Sequence, residues 1–362
     1  MNIYELSSYD YDLPPENIAQ SPASPRDSSR LLVWNVDADS VNRDLHFRDI
    51  VNFFSEGDVL VLNDTKVIPA RLRCSRQTGG LCEVFLLKNL DADFMTWQAL
   101  VKPARKIHRD SKLIIRDRVI RVLDEFPEGI RTVKFEGFNS RDEFMSFLDE
   151  AGQVPLPPYI KIKNDDADIK ESYQTVFAKN SGSVAAPTAS LHFTPELLEA
   201  IKAKGVKIAC VTLHVGLGTF RPVMTQDIRE HDIHSERCEI SDETAYIINS
   251  SRKEGHRIIA SGTTAARTLE SFSDESGFVR SGTLDTRLYI YPGYKFKTVD
   301  ALITNFHLPQ SSLIMLVAAF ASCKVKAPHN EESILAKLLE IYTESAREGW
   351  RFFSFGDAMF IL

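Results

Sequence analysis

The sequence predicts a layered α/β domain with a mostly parallel sheet, interrupted by an inserted small antiparallel β-barrel. Three observations carry this. Residues 58–63 (DVLVLN) form a continuous apolar run ending on polar residues, the pattern of a strand buried on both faces. After Pro69 the chain turns to short alternating runs at 82–87, 97–101, 112–115, 119–123 and 130–135, separated by turn residues such as Gly79-Gly80, Asp110 and Gly129. Runs at this spacing suggest a small barrel or sandwich. After Lys161 strand-like and helix-like patterns alternate, as in a parallel sheet covered by helices. The chain therefore divides into an α/β domain of residues 1–69 and 153–362 and an inserted β domain of residues 70–152.

Each element has a local cause. Residues 142–150 read as a short helix, and the prolines of VPLPPYI at 154–160 as a stiff return. Thr194 with Pro195 opens a helix to Lys204, an N-cap followed by proline at the first helical position, and Gly205 stops it. Residues 206–213 are a buried strand, 242–254 a helix halted by Gly255, 257–261 a strand, 264–272 a helix and 301–305 a strand. Ser311 begins the most apolar helix, whose run LIMLVAAFA at 313–321 is far too short to span a bilayer. Residues 331–346 form an amphipathic helix.

Bulk composition narrows the function classes. The N-terminal MNIYELSSYDYDLPPENIAQ is acidic and broken by proline, unlike a signal peptide. Five scattered cysteines without a C-x-x-C pair point to a reducing cytoplasm and away from a disulfide framework. A net charge of −7 disfavours broad, sequence-independent nucleic-acid binding. The charge is uneven, however: residues 102–121 hold eight basic and two acidic residues, a window of +6 that leaves −13 elsewhere. Such a patch suits a partner with few phosphates in one place; a solvated strand face is the plainer reading.

Two segments fit neither a helix stripe nor a strand alternation: GSVAAPTASLHFT at 182–194 and LHVGLGTF at 213–220. Their small residues let another molecule approach the backbone, so they read as walls of a small-molecule pocket or as tight loops around a core. In open α/β sheets, sites lie at the carboxyl ends of strands. Polar clusters fall there four times: Asn63-Asp64-Thr65, His214 to Thr219, Gly262-Thr263-Thr264 and Asn305-Phe306-His307. Gly262 opens a helix whose N-terminus suits an anion or a carboxylate. His231, His234 and Glu236 read H-x-x-H-x-E, a spacing compatible with a metal or with substrate contact. No hydrolase nucleophile elbow and no P-loop is present.

The chain resembles the S-adenosylmethionine:tRNA ribosyltransferase-isomerase family of queuosine biosynthesis nearly end to end. The resemblance rests on YDLPPENIAQSPASPRDSSRLL at 11–32, GDVLVLNDTKVIPARL at 57–72, GSVAAPTASLHFT, LHVGLGTFRPV, HDIHSE at 231–236, GTTAARTLES at 262–271, YIYPGYKF at 289–296, ITNFHLPQSSL and RFFSFGDAMFI at 351–361. Two positions depart from the family pattern: Ser190 stands where glycine is usual, and Leu217 where a smaller residue is usual. The resemblance implies an α/β domain with an inserted β-barrel. It implies transfer of the ribosyl part of S-adenosyl-L-methionine onto 7-aminomethyl-7-deazaguanine at the tRNA wobble position, giving epoxyqueuosine-tRNA, adenine and methionine. It implies no metal, tRNA as partner, no membrane, and a cytoplasmic monomer.

Under that resemblance the chemistry assigns needs to residues. A base removes the acidic proton beside the sulfonium, which favours histidine. His192, His214, His234 and His307 are the candidates, unranked by the sequence. Asp64 or Glu236 can sit near the sulfonium, and Phe193, Phe220 or Phe306 can face it as a cation–π partner. Ser183, Thr188, Gly216, Gly218, Thr219 and Phe220 are candidates to line the S-adenosyl-L-methionine site, with Gly262, Thr263, Thr264 and Arg267 at its carboxylate. Arg26, Arg30, Lys66, Arg71, Lys102, Arg105 and Arg109 are the candidates for tRNA phosphates. Two other readings compete: a metal-dependent hydrolase built on His231, His234 and Glu236, and a non-catalytic tRNA-binding protein.

Charge reversal of Arg105 together with Arg109 is expected to weaken tRNA binding and flatten its dependence on salt. A filter-binding titration across salt concentrations checks this; unchanged affinity and slope would remove the pair from the tRNA surface.

Overall fold

A computed structural model describes residues 1–157, 159–160, 171–216, 222–325 and 330–362. Its larger sheet has nine strands, in the spatial order Gly282–Thr286, Glu236–Ile240, Lys207–Leu213, Val59–Asn63, Ile258–Ser261, Ala301–Asn305, Ala358–Ile361, Arg30–Asn35 and Ser40–His46. The four strands from Lys207–Leu213 to Ala301–Asn305 run parallel, so their carboxyl ends share one edge. Every residue of Val59–Asn63 is buried, as the unbroken apolar run required. Val59 and Val61 pack on one face with Ala265, Leu269 and Met315. Leu60 and Leu62 pack on the other with Phe193, Leu197 and Ile201. That alternation is the period of two expected of a strand between two helical layers.

The helices begin where their caps put them. Thr194 Oγ1 accepts from Leu197 N at 3.2 Å, and the helix Pro195–Ala203 follows. Ser311 caps Ser312–Lys324, whose residues 314–321 are all buried, consistent with a helix apolar on every side. Among the described residues no helix is long and apolar enough to cross a membrane.

The second sheet is a closed six-stranded antiparallel barrel. Its order is Arg71–Arg76, Leu81–Asn89, Thr96–Lys102, Ile130–Glu136, Arg118–Glu125 and Lys112–Ile115, and the last pairs back onto the first at Ser75–Ile114 and Arg76–Leu113. The strand Arg71–Arg76 was not anticipated from the sequence. RLRCSR sets arginine outward and Leu72 and Cys74 inward, so a true alternation is masked by charge. The helix Arg141–Ala151 presses Phe144, Phe147 and Leu148 into the barrel core. Gly152 then pairs with Leu72, and a Cβ at Gly152 would lie 2.0 Å from Pro69 O, so the incoming and outgoing chains touch.

Asn63 ties the carboxyl ends of the parallel strands together. Its Oδ1 accepts from Leu213 N at 3.0 Å and Thr65 N at 3.2 Å. Its Nδ2 donates to Leu213 O and to Thr264 Oγ1, each at 3.1 Å. The side chain is wholly buried and all four of its hydrogen-bonding positions are used. Asn63→Ala is expected to lower stability by about 2–4 kcal/mol, because it strands the buried Leu213 and Thr65 N–H groups. Denaturant unfolding measures this; a loss below about 0.5 kcal/mol, the level of an ordinary surface change, would show the amide to be dispensable.

Candidate functional site

The shared edge of the parallel strands opens into a cleft of about 450 Å³ between the sheet and the barrel. The sheet contributes Thr212, His214, Gly216 and Glu236; the barrel contributes the hairpin around Asn89 and Phe94, together with Arg141. The two-stranded parallel sheet of Thr65–Val67 and Asn180–Ser183 brings Gly182 to the same wall. A smaller cavity of about 50 Å³ lies behind Val215, lined by Thr188, Gly262, Thr263, Thr264, Asn305 and His307. A third, of about 20 Å³, is lined by His234, Glu236, Arg267 and Tyr289. The four polar strand ends therefore meet at one edge but divide between adjoining spaces.

His214 Nδ1 lies 2.9 Å from Thr65 Oγ1, and the ring lines the cleft. Gly182 makes this possible, since a Cβ there would sit 2.9 Å from His214 Cε1. Burial, then the nearby Arg237 and Arg141 charges, push its pKa down to about 4. Asp64 is held away from solvent by Thr212 Oγ1 at 2.7 Å and by Asn180 Nδ2 at 3.0 and 3.1 Å. It reaches the cleft only through those two partners, which line it.

His192 is placed differently. Its Nδ1 is 2.8 Å from Ser29 Oγ and its Nε2 is 3.2 Å from Asn305 Oδ1, so both ring nitrogens are engaged. Asn305 Nδ2 donates to Phe353 O and Ser354 O, which fixes the amide and makes the His192 Nε2 the donor. The ring stacks on Phe47 at 4.8 Å. Burial lowers its pKa to about 4. His307 Nε2 lies 2.9 Å from Thr304 Oγ1, and burial alone lowers its pKa to about 3. His234 is exposed beside the third cavity.

The remaining sulfonium candidates separate as well. Phe193 packs edge-on against Phe47, and Phe306 sits among Tyr342, Trp350 and Phe352; both are fully buried in core contacts and line none of the three spaces. Glu236 is buried in an ion pair with Arg267 and accepts from Gly216 N at 3.0 Å. The pair joins the strand Glu236–Ile240 to the helix Thr263–Phe272, and Arg267 Nε also donates to Leu288 O at 3.0 Å. Ser183 is wholly buried; its hydroxyl donates to Ala185 O at 2.7 Å and accepts from Val215 N at 2.9 Å, so it braces the pocket wall. Gly262, at φ +90°, starts a helix without a side-chain cap. Gly218, Thr219, Phe220 and Leu217 lie outside the described residues. Among the described residues no group of three or more His, Cys, Asp or Glu is gathered for a metal, which leaves the H-x-x-H-x-E hydrolase reading without a centre.

The basic window is not a patch of +6 in space. The neighbouring strand and helix set Arg109 3.6 Å from Asp124, Arg116 2.8 Å from Glu150, Arg118 3.0 Å from Glu143 and Arg121 2.6 Å from Glu136. Charge counted along the chain ignored the acidic residues that the neighbouring strand and helix supply. Lys102 and Arg105 are exposed and have no ion pair among the described residues. Arg26 donates to Gln174 O and Glu171 O, Arg30 lies 3.9 Å over the Trp350 ring, and Arg71 is 3.5 Å from Glu83. Lys66 is exposed, one residue from Thr65. Sequence reasoning missed Asn180, Thr212, Arg141, Arg237 and Glu239 as cleft residues. Only ERCEI, an alternating strand with a polar face, carried a signal.

The queuosine biosynthesis protein family matches residues 6–361. The S-adenosylmethionine:tRNA ribosyltransferase-isomerase of Acetivibrio thermocellus is 48% identical over 360 residues, covering 99% of both chains. That of Syntrophomonas wolfei is 47% identical, covering 100% of this chain and 98% of its own. The crystal structure of the S-adenosylmethionine tRNA ribosyltransferase from Thermotoga maritima is 36% identical, with a TM-score of 0.53 over 98% of this chain and 100% of that one.

The buried neutral histidines make the fold acid-sensitive. Their folded pKa values lie below the unfolded value of about 6.5, so on acidification the unfolded chain binds protons that the folded chain refuses. Stability is therefore full above about pH 6.5 and is lost as pH falls towards about 4, by on the order of 1 kcal/mol per pH unit for each of His192 and His307. Thermal melts between these limits should show a falling Tm, and replacing both histidines by glutamine should flatten the slope.

Proposed function

The chain belongs to the queuosine biosynthesis protein family, and from this we infer that it is an S-adenosylmethionine:tRNA ribosyltransferase-isomerase. The observation that carries the inference is likeness from end to end: 48% identity to a relative of that name over 99% of both chains. We propose that S-adenosyl-L-methionine donates its ribosyl moiety to 7-aminomethyl-7-deazaguanine at the wobble position of tRNA. Epoxyqueuosine-tRNA, adenine and methionine are then the products. We propose that the chain acts as a cytoplasmic monomer, and that residues 70–152 are an inserted unit on a domain of residues 1–69 and 153–362.

The cleft between sheet and barrel is the proposed reaction site. His214 is the proposed base. Its neutral form can accept a proton, Thr65 holds its Nδ1, and the cleft reaches the ring. When Thr65 Oγ1 donates to Asn180 O, at 3.5 Å, it accepts from Nδ1–H, and Nε2 is left with its lone pair for the ribose proton beside the sulfonium. Loss of that proton leaves an ylide; adenine departs, the substrate amine attacks, and methionine leaves as the epoxide closes. His192 has no free nitrogen and is proposed to orient Asn305 rather than to move protons. Gly262, Thr263 and Thr264 at their helix N-terminus, with Arg267 one helical turn on, are the proposed hold on the methionine carboxylate. Lys66, together with Lys102 and Arg105 of the barrel, all three exposed, are the proposed phosphate contacts.

Incubation with S-adenosyl-L-methionine and tRNA carrying the aminomethyl-deazaguanine should add the epoxy-cyclopentene ring, seen by mass spectrometry of the digested tRNA. No mass change would overturn the assignment. His214→Ala should reduce adenine release by on the order of 100-fold or more, the range of a lost general base, while leaving the fold intact; near-normal release would remove His214 from proton transfer.

A further inference from the structure

We propose that Arg237 and Glu239 read the edge of the nucleobase in the cleft, and so select a guanine-type base. The proposal rests on the ribosyltransferase reading above and adds the residues that choose its acceptor. Both side chains lie on the polar face of the strand Glu236–Ile240, two residues apart, and both line the cleft. Both are exposed, and neither has a side-chain hydrogen bond or ion pair among the described residues. Elsewhere in the fold the pattern is the opposite, since most charged groups near the cleft are already committed: Asp64 to Thr212 and Asn180, Glu236 to Arg267. Arg237 has a carboxylate directly opposite it in register, Asp285, but that carboxylate is taken by Lys88 of the barrel hairpin at 3.0 Å. An arginine fork and a carboxylate are therefore left open side by side, facing the space where a substrate would sit.

Their order along the sheet matches the order of groups along the base. Glu239 stands opposite Thr212 in register, and Arg237 O accepts from His214 N at 3.0 Å, so His214 lies beside Arg237 and away from Glu239. Successive residues on one strand face are about 6.8 Å apart, a separation that side chains converging on one base edge can close. A guanine-type edge presents an N1–H and an N2 amine next to the O6 carbonyl. The Glu239 carboxylate can accept from both N–H groups, and the Arg237 fork can donate to O6. A 7-deaza base offers carbon where guanine has N7, so the fork finds only O6. The aminomethyl group on that carbon then points past Arg237 towards His214, where the ribosyl transfer is proposed. The Arg237 charge also disfavours the ammonium form of that amine, which must be neutral to attack. On the barrel wall, the Arg141 guanidinium lies over the Phe94 ring at 3.9 Å, a surface on which a splayed RNA base can stack.

The test compares two anticodon stem-loops, one with the aminomethyl-deazaguanine and one whose base lacks the 2-amino group. The full-length protein should prefer the first in kcat/KM by roughly 10- to 100-fold. Glu239→Gln should erase most of that preference and raise KM for the stem-loop, with KM for S-adenosyl-L-methionine unchanged. Arg237→Lys, which keeps the charge and loses the fork, should raise KM for both stem-loops alike. A preference retained in Glu239→Gln, or absent from the wild-type protein, would overturn the proposal. A wild-type protein that modifies neither stem-loop nor full tRNA would overturn the parent reading instead.

Discussion

The Asn63 amide is the constraint on which the site depends. Three parallel chain segments end within its reach, and each leaves backbone or hydroxyl groups that no strand partner can satisfy at a sheet edge. One side chain with two donors and two acceptors answers four of them. Because it is wholly buried, each bond is costly to break. The result is a rigid line of strand ends from which Thr65, Leu213 and Thr264 depart in fixed directions. Thr65 then sets His214, and Thr264 lies in the first turn of the helix that holds Arg267. A loop-borne site would have had no such common reference.

The barrel supplies the other wall of the cleft. Its incoming and outgoing chains touch at Pro69 and Gly152. An ion pair ties it to the sheet near the cleft. Lys88 reaches Asp285 across the gap, a half-exposed pair that contributes little energy but keeps Asp285 from Arg237. Arg141, from the helix that closes the barrel, reaches close enough for its charge to be felt at His214. The electrostatics of the cleft are therefore set jointly by both halves of the fold.

Much of the fold was legible in the sequence because it rests on periodicity and caps, which are local. DVLVLN declared a strand buried on both faces, Thr194-Pro195 a helix start, and the alternating runs after Pro69 a barrel. The exception, RLRCSR, shows the limit: two inward positions among three arginines carry too little contrast to read, yet that strand closes the barrel. The candidate site was legible only in outline. Polar clusters at strand ends pointed to the edge that opens into the cleft, but a polar residue at an edge can face a cavity, a neighbour or water.

The sequence by itself determined the class of fold, the family likeness and the edge of the sheet where polar residues gather, because each follows from residue types at short spacing. Only the tertiary structure separated the four histidines. Ser29 and Asn305, distant in sequence, occupy both nitrogens of His192, whereas Thr65 engages one nitrogen of His214. Only the tertiary structure, too, dissolved the basic window, since ion pairs depend on which strands become neighbours. Among the described residues it likewise left Arg237 and Glu239 unpaired beside the cleft, which strand register decides and composition does not.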